Sequence, residues 1–353
     1  MVAPHSWPGP VNRRRWTSAD SAERDSPLLI SGSTDRPKSV EDLLSPGLLK
    51  RLDRLDVMSR KIFSGKLPGE RRSKKRGSGV EFADYRSYVP GDDFRYIDWK
   101  ILARLDKLFV RMFLEEEDLS VLVAVDCSAS MRAGDPEKLL FAQKIALALG
   151  YIGLVNNNRV SIAAFGKHTF RKMNDVRGRR NVQRLAQFVI DDIIPEEGHG
   201  SPSTNAGPER SFLDNMRRLI QQRSGKGVMV VLSDFFIDEG IQDGINLLAG
   251  AGGFDVHCYQ ILSPGEIDPA TTQRRGETGV VGDLRLTDIE TGAGEELTIS
   301  AALIRQYQQR LENHCAQITH LCRSRSLSHV VFRSDADIED LLLKEFRMRG
   351  LLQ

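Results

Sequence analysis

The chain has 353 residues, with 50 Lys and Arg set against 48 Asp and Glu, and is 40% hydrophobic and 28% charged. A formal net charge of +2 gives no electrostatic case for nucleic acid or a membrane surface as partner. The composition is that of a globular protein with enough chain for a sizeable core, in one large domain or two modest ones.

Residues 1 to about 38 are rich in Pro, Ser, Arg and Asp and have no hydrophobic period, so the first 40 residues are expected to form a disordered tail. Arg13, Arg14 and Arg15 are followed by no apolar run, unlike a secretory signal. From Leu43 to Phe63, the residues Leu43, Leu44, Leu48, Leu49, Leu52, Leu55 and Ile62 recur at near-helical spacing, which predicts one amphipathic helix. The Gly65–Gly79 stretch, basic from Lys66 to Arg76, reads as a solvated linker in preference to a phosphate contact. Residues 81–100 mix Glu81, Asp84, Asp92, Asp93 and Asp98 with Arg86, Arg95 and Lys100. Acid–base catalysis is conceivable there. Ion pairs around a Pro90–Asp93 turn, with Phe82, Tyr85, Tyr88 and Trp99 packing a small subdomain, are the preferred reading.

From residue 119 strand and helix signals alternate. Strands are expected at Leu119–Asp126, Arg159–Phe165, Val228–Ser233, Asp255–Leu262 and Leu327–Phe332. Helices are expected at Glu137–Val155 (with Asp135 as N-cap and Pro136 in the first turn), Val182–Ile193, Phe212–Gln222, Ile241–Ala249, Ala301–Ser324 and Ile338–Arg347. Such alternation implies a doubly wound α/β fold with a mostly parallel sheet. Asp283–Ile299 alternates apolar and polar residues around Thr291–Gly294, which reads as an inserted β-hairpin. The least polar long stretch, Ile145–Val155, is short for a membrane span. Cys127, Cys258, Cys315 and Cys322 form no C-x-x-C pair and are expected to be free thiols in a reducing compartment, the cytoplasm.

Residues 120–131 carry the strongest functional signal. A buried-strand run of Val, Leu and Ala ends in Asp126, Ser128 and Ser130, three oxygen donors at alternate positions. Oxygen-only donors suit a hard divalent cation, Mg²⁺ or Mn²⁺, far better than zinc. In a doubly wound sheet, ligands sit beyond the carboxyl ends of strands. Asp234 closes a second strand, and a polar loop containing Ser201, Ser203 and Thr204 lies between. Two carboxylates with neutral hydroxyls leave such a cation under-neutralised, with a position open for a partner's Asp or Glu. A phosphate-cleaving enzyme usually wants more acid or a nucleophile beside the metal. Neither a Gly-x-Ser-x-Gly elbow nor a phosphate-binding Gly-x-x-x-x-Gly-Lys-Ser/Thr loop is present.

This order of pieces resembles the von Willebrand factor A domain and its metal-ion-dependent adhesion site, Asp-x-Ser-x-Ser followed by a distant Thr and Asp. Residues 81–100 (EFADYRSYVPGDDFRYIDWK), Ala103-Arg104, Phe109–Arg111 and the closing Phe346–Gly350 narrow the match. They resemble a bacterial family, domain-of-unknown-function family fifty-eight, over roughly residues 45–350, whose genes often neighbour those of MoxR-type AAA+ ATPases. The resemblance implies Asp126, Ser128, Ser130, Thr204 and Asp234 as metal-site residues, the two acids acting partly through water. Thr204 lacks the Gly-rich lead expected before it, so Ser203 or Ser201 competes for its role. It further implies a 41–117 family-specific subdomain, then a 118–350 von Willebrand A-like domain with a hairpin near 280–300. The expected function is a cytoplasmic protein-binding adaptor or assembly factor working with a MoxR-type ATPase. The alternative is a metal-dependent hydrolase, a phosphatase or nuclease, using Asp126.

Overall fold

The computed structural model describes residues 14–18, 36–59, 72–73, 81–116, 119–134, 136–195, 209–237, 239–269, 282–288 and 294–353. Its centre is a six-stranded sheet of β5 (Leu119–Asp126), β6 (Arg159–Phe165), β7 (Phe170–Lys172), β8 (Lys226–Ser233), β9 (Phe254–Leu262) and β12 (Ser328–Arg333), in the order β12-β9-β8-β5-β6-β7. Every pairing is parallel except that of β6 with β7. The chain starts at β5, adds β6 on one side, then crosses to build β8, β9 and β12 on the other. The direction of winding therefore reverses between β5 and β8, where a doubly wound sheet opens its crevice. All eight residues of β5 are buried, as expected for a Val-rich strand covered on both faces.

Helices cover the two faces. On one lies α4 (Lys138–Val155), with α5 (Val182–Asp191) beside it; on the other lie α6 (Phe212–Gln221), α7 (Ile241–Ala249) and α9 (Ala301–Ser324). By length and composition α4 is apolar enough to cross a membrane, yet 83% of that stretch is buried inside this fold. Its apolar residues run all round the helix because sheet, α5 and the N-terminal segment enclose it. The β5–β8 contact needs Gly227, since a Cβ there would lie 1.9 Å from the Ser120 carbonyl oxygen.

The strands expected from 119 onward are all present, within two residues at each end. The short antiparallel edge strand β7 was not legible, three residues being too few for a period. Four further expectations are corrected. The single helix over Leu43–Phe63 is instead α1 (Val40–Leu43) and α2 (Pro46–Leu52), divided where Ser45 caps α2 with Pro46 at its first position. Residues 60–63 of that prediction lie outside the described residues. Second, α4 begins at Lys138 with Glu137 at the N-cap position; Asp135 lies outside the described residues. Third, the final helix breaks into Ile338–Asp340, a wide π-type turn Leu341–Glu345 and Phe346–Met348. Fourth, the inserted hairpin, β10 (Gly282–Asp288) with β11 (Gly294–Ile299), takes a third strand from the expected tail, β1 (Arg14–Ser18), paired Trp16 to Leu286.

Leu43, Leu44, Leu48, Leu52 and Val57 join the same hydrophobic cluster as β5 and α4. Val57 also bridges to Leu352, and Asp56 and Gln353 exchange backbone hydrogen bonds. The first turns of the 41–117 segment are thus part of the main core. Within 81–116, β3 (Glu81–Ser87) and β4 (Phe109–Glu116) form an antiparallel pair flanking α3 (Trp99–Leu105), and β4 also pairs with β2 (Arg72–Ser73). Three of its acids are engaged: Arg86 pairs with Asp92 at 2.6 Å and Arg95 with Asp93 at 2.7 Å. Asp98 caps α3 and accepts from Tyr85 Oη at 3.0 Å and Arg111 Nε at 2.8 Å. The Arg111 guanidinium holds the Asp98 carboxyl far below the usual carboxylate range. Trp99, expected to pack this subdomain, is 60% exposed. The four cysteines are free, and Cys127, Cys258 and Cys322 are buried.

Candidate metal centre

β5 and β8 run side by side with Val125 opposite Leu232, so Asp126 and the Ser233–Asp234 corner emerge together at the switch point. Asp126 is fixed from both sides. Its Oδ1 accepts from Ser128 N at 2.9 Å and its Oδ2 from Ser233 Oγ at 2.6 Å. The chain then turns through Ala129–Arg132, placing the Ser128 and Ser130 hydroxyls 3.0 Å apart. Asp234 is followed by a left-handed corner at Phe235, φ 54°, costly for a bulky residue. Packing holds that corner: the Phe235 ring lies against Phe212 and His329, its N–H donates to Ser233 Oγ, and its carbonyl accepts from His314 Nε2 at 3.1 Å. The corner turns the Phe235 ring into the core and leaves Asp234 toward Ser130, whose hydroxyl hydrogen-bonds it.

Of the five residues expected at the metal site, the structure brings together Asp126, Ser128, Ser130 and Asp234. Thr204, with Ser201 and Ser203, lies outside the described residues. Burial, reinforced by the Asp234 charge, pushes Asp126 up to about 6, against the hydrogen bonds from Ser233 and Ser128. Burial acts on Asp234 in the same direction, but the Lys138 ammonium and the hydrogen bonds it receives hold it below its ordinary value.

Three participants were not anticipated. Ser233 orients Asp126. Lys138, the first residue of α4, places a wholly buried ammonium 2.8 Å from Asp234 Oδ2 and 2.5 Å from Glu266 Oε1. Glu266 belongs to the short α8 (Pro264–Ile267), whose N-cap Ser263 it boxes. One signal was available: a Lys at the first position of a mostly apolar helix faces the wrong end of the helix dipole and needs an acid nearby. Its partners lie 96 and 128 residues away, so spacing could not name them.

Among the described residues, no cluster of three or more His, Cys, Asp or Glu fits a metal ion, so a cation here requires the hydroxyls. Two carboxylates and two hydroxyls are oxygen donors of the kind hard cations take; Asp126 and Ser128 line a cleft while Ser130 and Asp234 are buried, and each carboxylate keeps acceptor capacity beyond the bonds it already accepts. The set fits Mg²⁺ or Mn²⁺. Beside Asp126 and Ser128 opens a cleft of about 430 Å³, bounded by Phe165, Lys167, Arg210, Asn215 and Phe236. Asn215 is buried and donates to the Gly166 carbonyl, while its Oδ1 has no hydrogen-bond partner among the described residues.

Residues 84–317 match the family described as "Protein of unknown function DUF58". The chain belongs to this family. Relatives of this DUF58 protein include uncharacterized proteins of Mycobacterium bovis and Mycobacterium tuberculosis, each 26% identical over 317 residues, 88% of this chain and 90% of theirs. Among solved structures it is similar to BatB, a conserved hypothetical protein from Bacteroides thetaiotaomicron, at 14% identity and TM-score 0.38, covering 65% of this chain and 98% of that one. It is also similar to a von Willebrand factor type A protein from Catenulispora acidiphila, at 13% identity and TM-score 0.34, covering 67% and 43%.

Proposed function

We propose that this DUF58 protein is a metal-dependent protein-binding module of the von Willebrand A kind, a cytoplasmic adaptor or assembly factor working with a MoxR-type AAA+ ATPase. A divalent cation, Mg²⁺ or Mn²⁺, rests on Asp126, Ser128, Ser130 and Asp234, and an acidic side chain of the partner or its client completes the coordination. The observation that carries this reading is the convergence of those four side chains at the sheet's switch point, beside an open cleft. Lys167 and Arg210 on its wall favour an acidic visitor. We read the protein as a binder and not a hydrolase, because both Asp126 oxygens are already occupied as hydrogen-bond acceptors, which dulls the carboxylate as a nucleophile.

The test pairs calorimetric titration of Mn²⁺ into the purified protein with capture of a MoxR-type AAA+ ATPase, with and without EDTA. Wild type binds the ion and holds the ATPase only without EDTA; Asp126→Ala loses both while its circular dichroism is unchanged. ATPase capture indifferent to EDTA and to Asp126→Ala refutes the reading. Phosphatase or nuclease turnover lost in the same variant replaces it with the hydrolase.

A further inference from the structure

A metal site built from Asp126, Ser128, Ser130 and Asp234 has no evident need of Lys138, yet the chain buries an ammonium against it. Lys138 is 0% exposed, as is rare for Lys. It contacts one acid of the site, Asp234, and one acid outside it, Glu266, and lies 5.4 Å over the Phe236 ring. Burying such a pair is a poor way to stabilise a fold, since apolar residues of similar volume do as well or better. The arrangement does something definite to charge, however. Ionised Asp126, Asp234 and Glu266 together with the Lys138 ammonium carry two net negative charges. A divalent ion brings the group to zero, so an incoming carboxylate meets no surplus negative charge. Without Lys138 the ion alone would neutralise Asp126 and Asp234, and with Glu266 still ionised the arriving acid would meet surplus negative charge.

We propose that Lys138 is a resident cation, a positioning residue that holds Asp234 in place, opposes the divalent ion, and leaves the ion-loaded group neutral toward an arriving carboxylate. The inference deepens the metal-dependent reading above and rests on it. Glu266 sets the strength of the effect. Its other oxygen accepts from Ser263 N at 2.7 Å, so the acid is held toward Lys138 by the α8 cap, and its side chain is 21% exposed, which leaves it open to substitution.

The decisive experiment titrates MnCl₂ into wild type, Lys138→Gln and Glu266→Gln by calorimetry, in acetate-free buffer and again with acetate as a free carboxylate. Lys138→Gln binds Mn²⁺ about tenfold tighter or more, because a unit charge near a dication is removed from a poorly screened site. Glu266→Gln, which keeps the cap acceptor but removes a negative charge, shifts affinity the other way. Acetate tightens Mn²⁺ binding to wild type more than to Lys138→Gln. A Lys138 that served packing alone would give no such opposed pair. If Lys138→Gln fails to fold, weaker Mn²⁺ binding by Glu266→Gln decides in favour, and unchanged or tighter binding decides against. Wild type that binds Mn²⁺ with both variants unchanged, or both weakened, overturns the role of Lys138 and leaves the metal reading standing. Binding by Lys138→Gln and not by wild type supports the resident cation and overturns metal dependence of the native protein. No binding by any of the three overturns both.

Discussion

Asp126 carries a charge that the metal-free fold resists, and Asp126→Asn isolates it. The carboxyl sits at about 6 instead of its ordinary 3.8, chiefly through burial and then through Asp234. A shift of roughly two units corresponds to about 3 kcal/mol held against the ionised form. The sign follows from linkage: between about pH 4 and 6 the folded protein binds the proton that the unfolded chain has released. Stability in EDTA therefore falls as pH rises through that window and stays low above it. Asn keeps an oxygen for Ser128 N, but its amide replaces the acceptor that Ser233 Oγ donates to, a loss of about 1 kcal/mol. Asp126→Asn is thus expected to be about 2 kcal/mol more stable than wild type at pH 8 in EDTA, and no more stable, or slightly less, at pH 4. Urea denaturation followed by circular dichroism at both pH values reads this directly. A variant less stable than wild type at pH 8 without metal would refute the reasoning, showing that the carboxylate is supported in place and not repelled.

Two further predictions concern the frame that holds the site. Gly227→Ala drives a Cβ into the Ser120 backbone and pries β8 from β5; a loss of about 3 kcal/mol or more is expected, read as a fall in urea midpoint, and an unchanged midpoint would mean the strands can part freely. Leu52→Ala, at a wholly buried position in α2, is expected to cost about 2–5 kcal/mol by the same measurement. A cost near zero would show that the N-terminal helices are dispensable to the core.

The parts of the structure legible in the sequence were those whose cause is local. β5 and β8 announce themselves as apolar runs ending in an acid, so Asp126, Ser128, Ser130 and Asp234 could be named and placed at a shared crevice before any coordinates. Chain breaks caused by a single residue were read less well: Pro46 ends one helix and begins another, yet the leucine period runs on through it. Contacts made only by tertiary folding were invisible. The Lys138–Glu266 pair joins the start of one helix to a four-residue turn far along the chain, and β1 finds β10 across most of the sequence. Neither has a signature that spacing can carry.

The corner at Phe235 has a bearing beyond the site it shapes. Its ring is wedged between Phe212 and His329, and its carbonyl is tied to His314 on the long α9, while the residue before it supplies a crevice carboxylate. A single peptide unit is therefore shared by the mouth of the crevice and the layer of helices behind the sheet. Repacking those aromatics would re-aim Asp234, and a tug on Asp234 from outside would be felt by α9 as well as by Lys138.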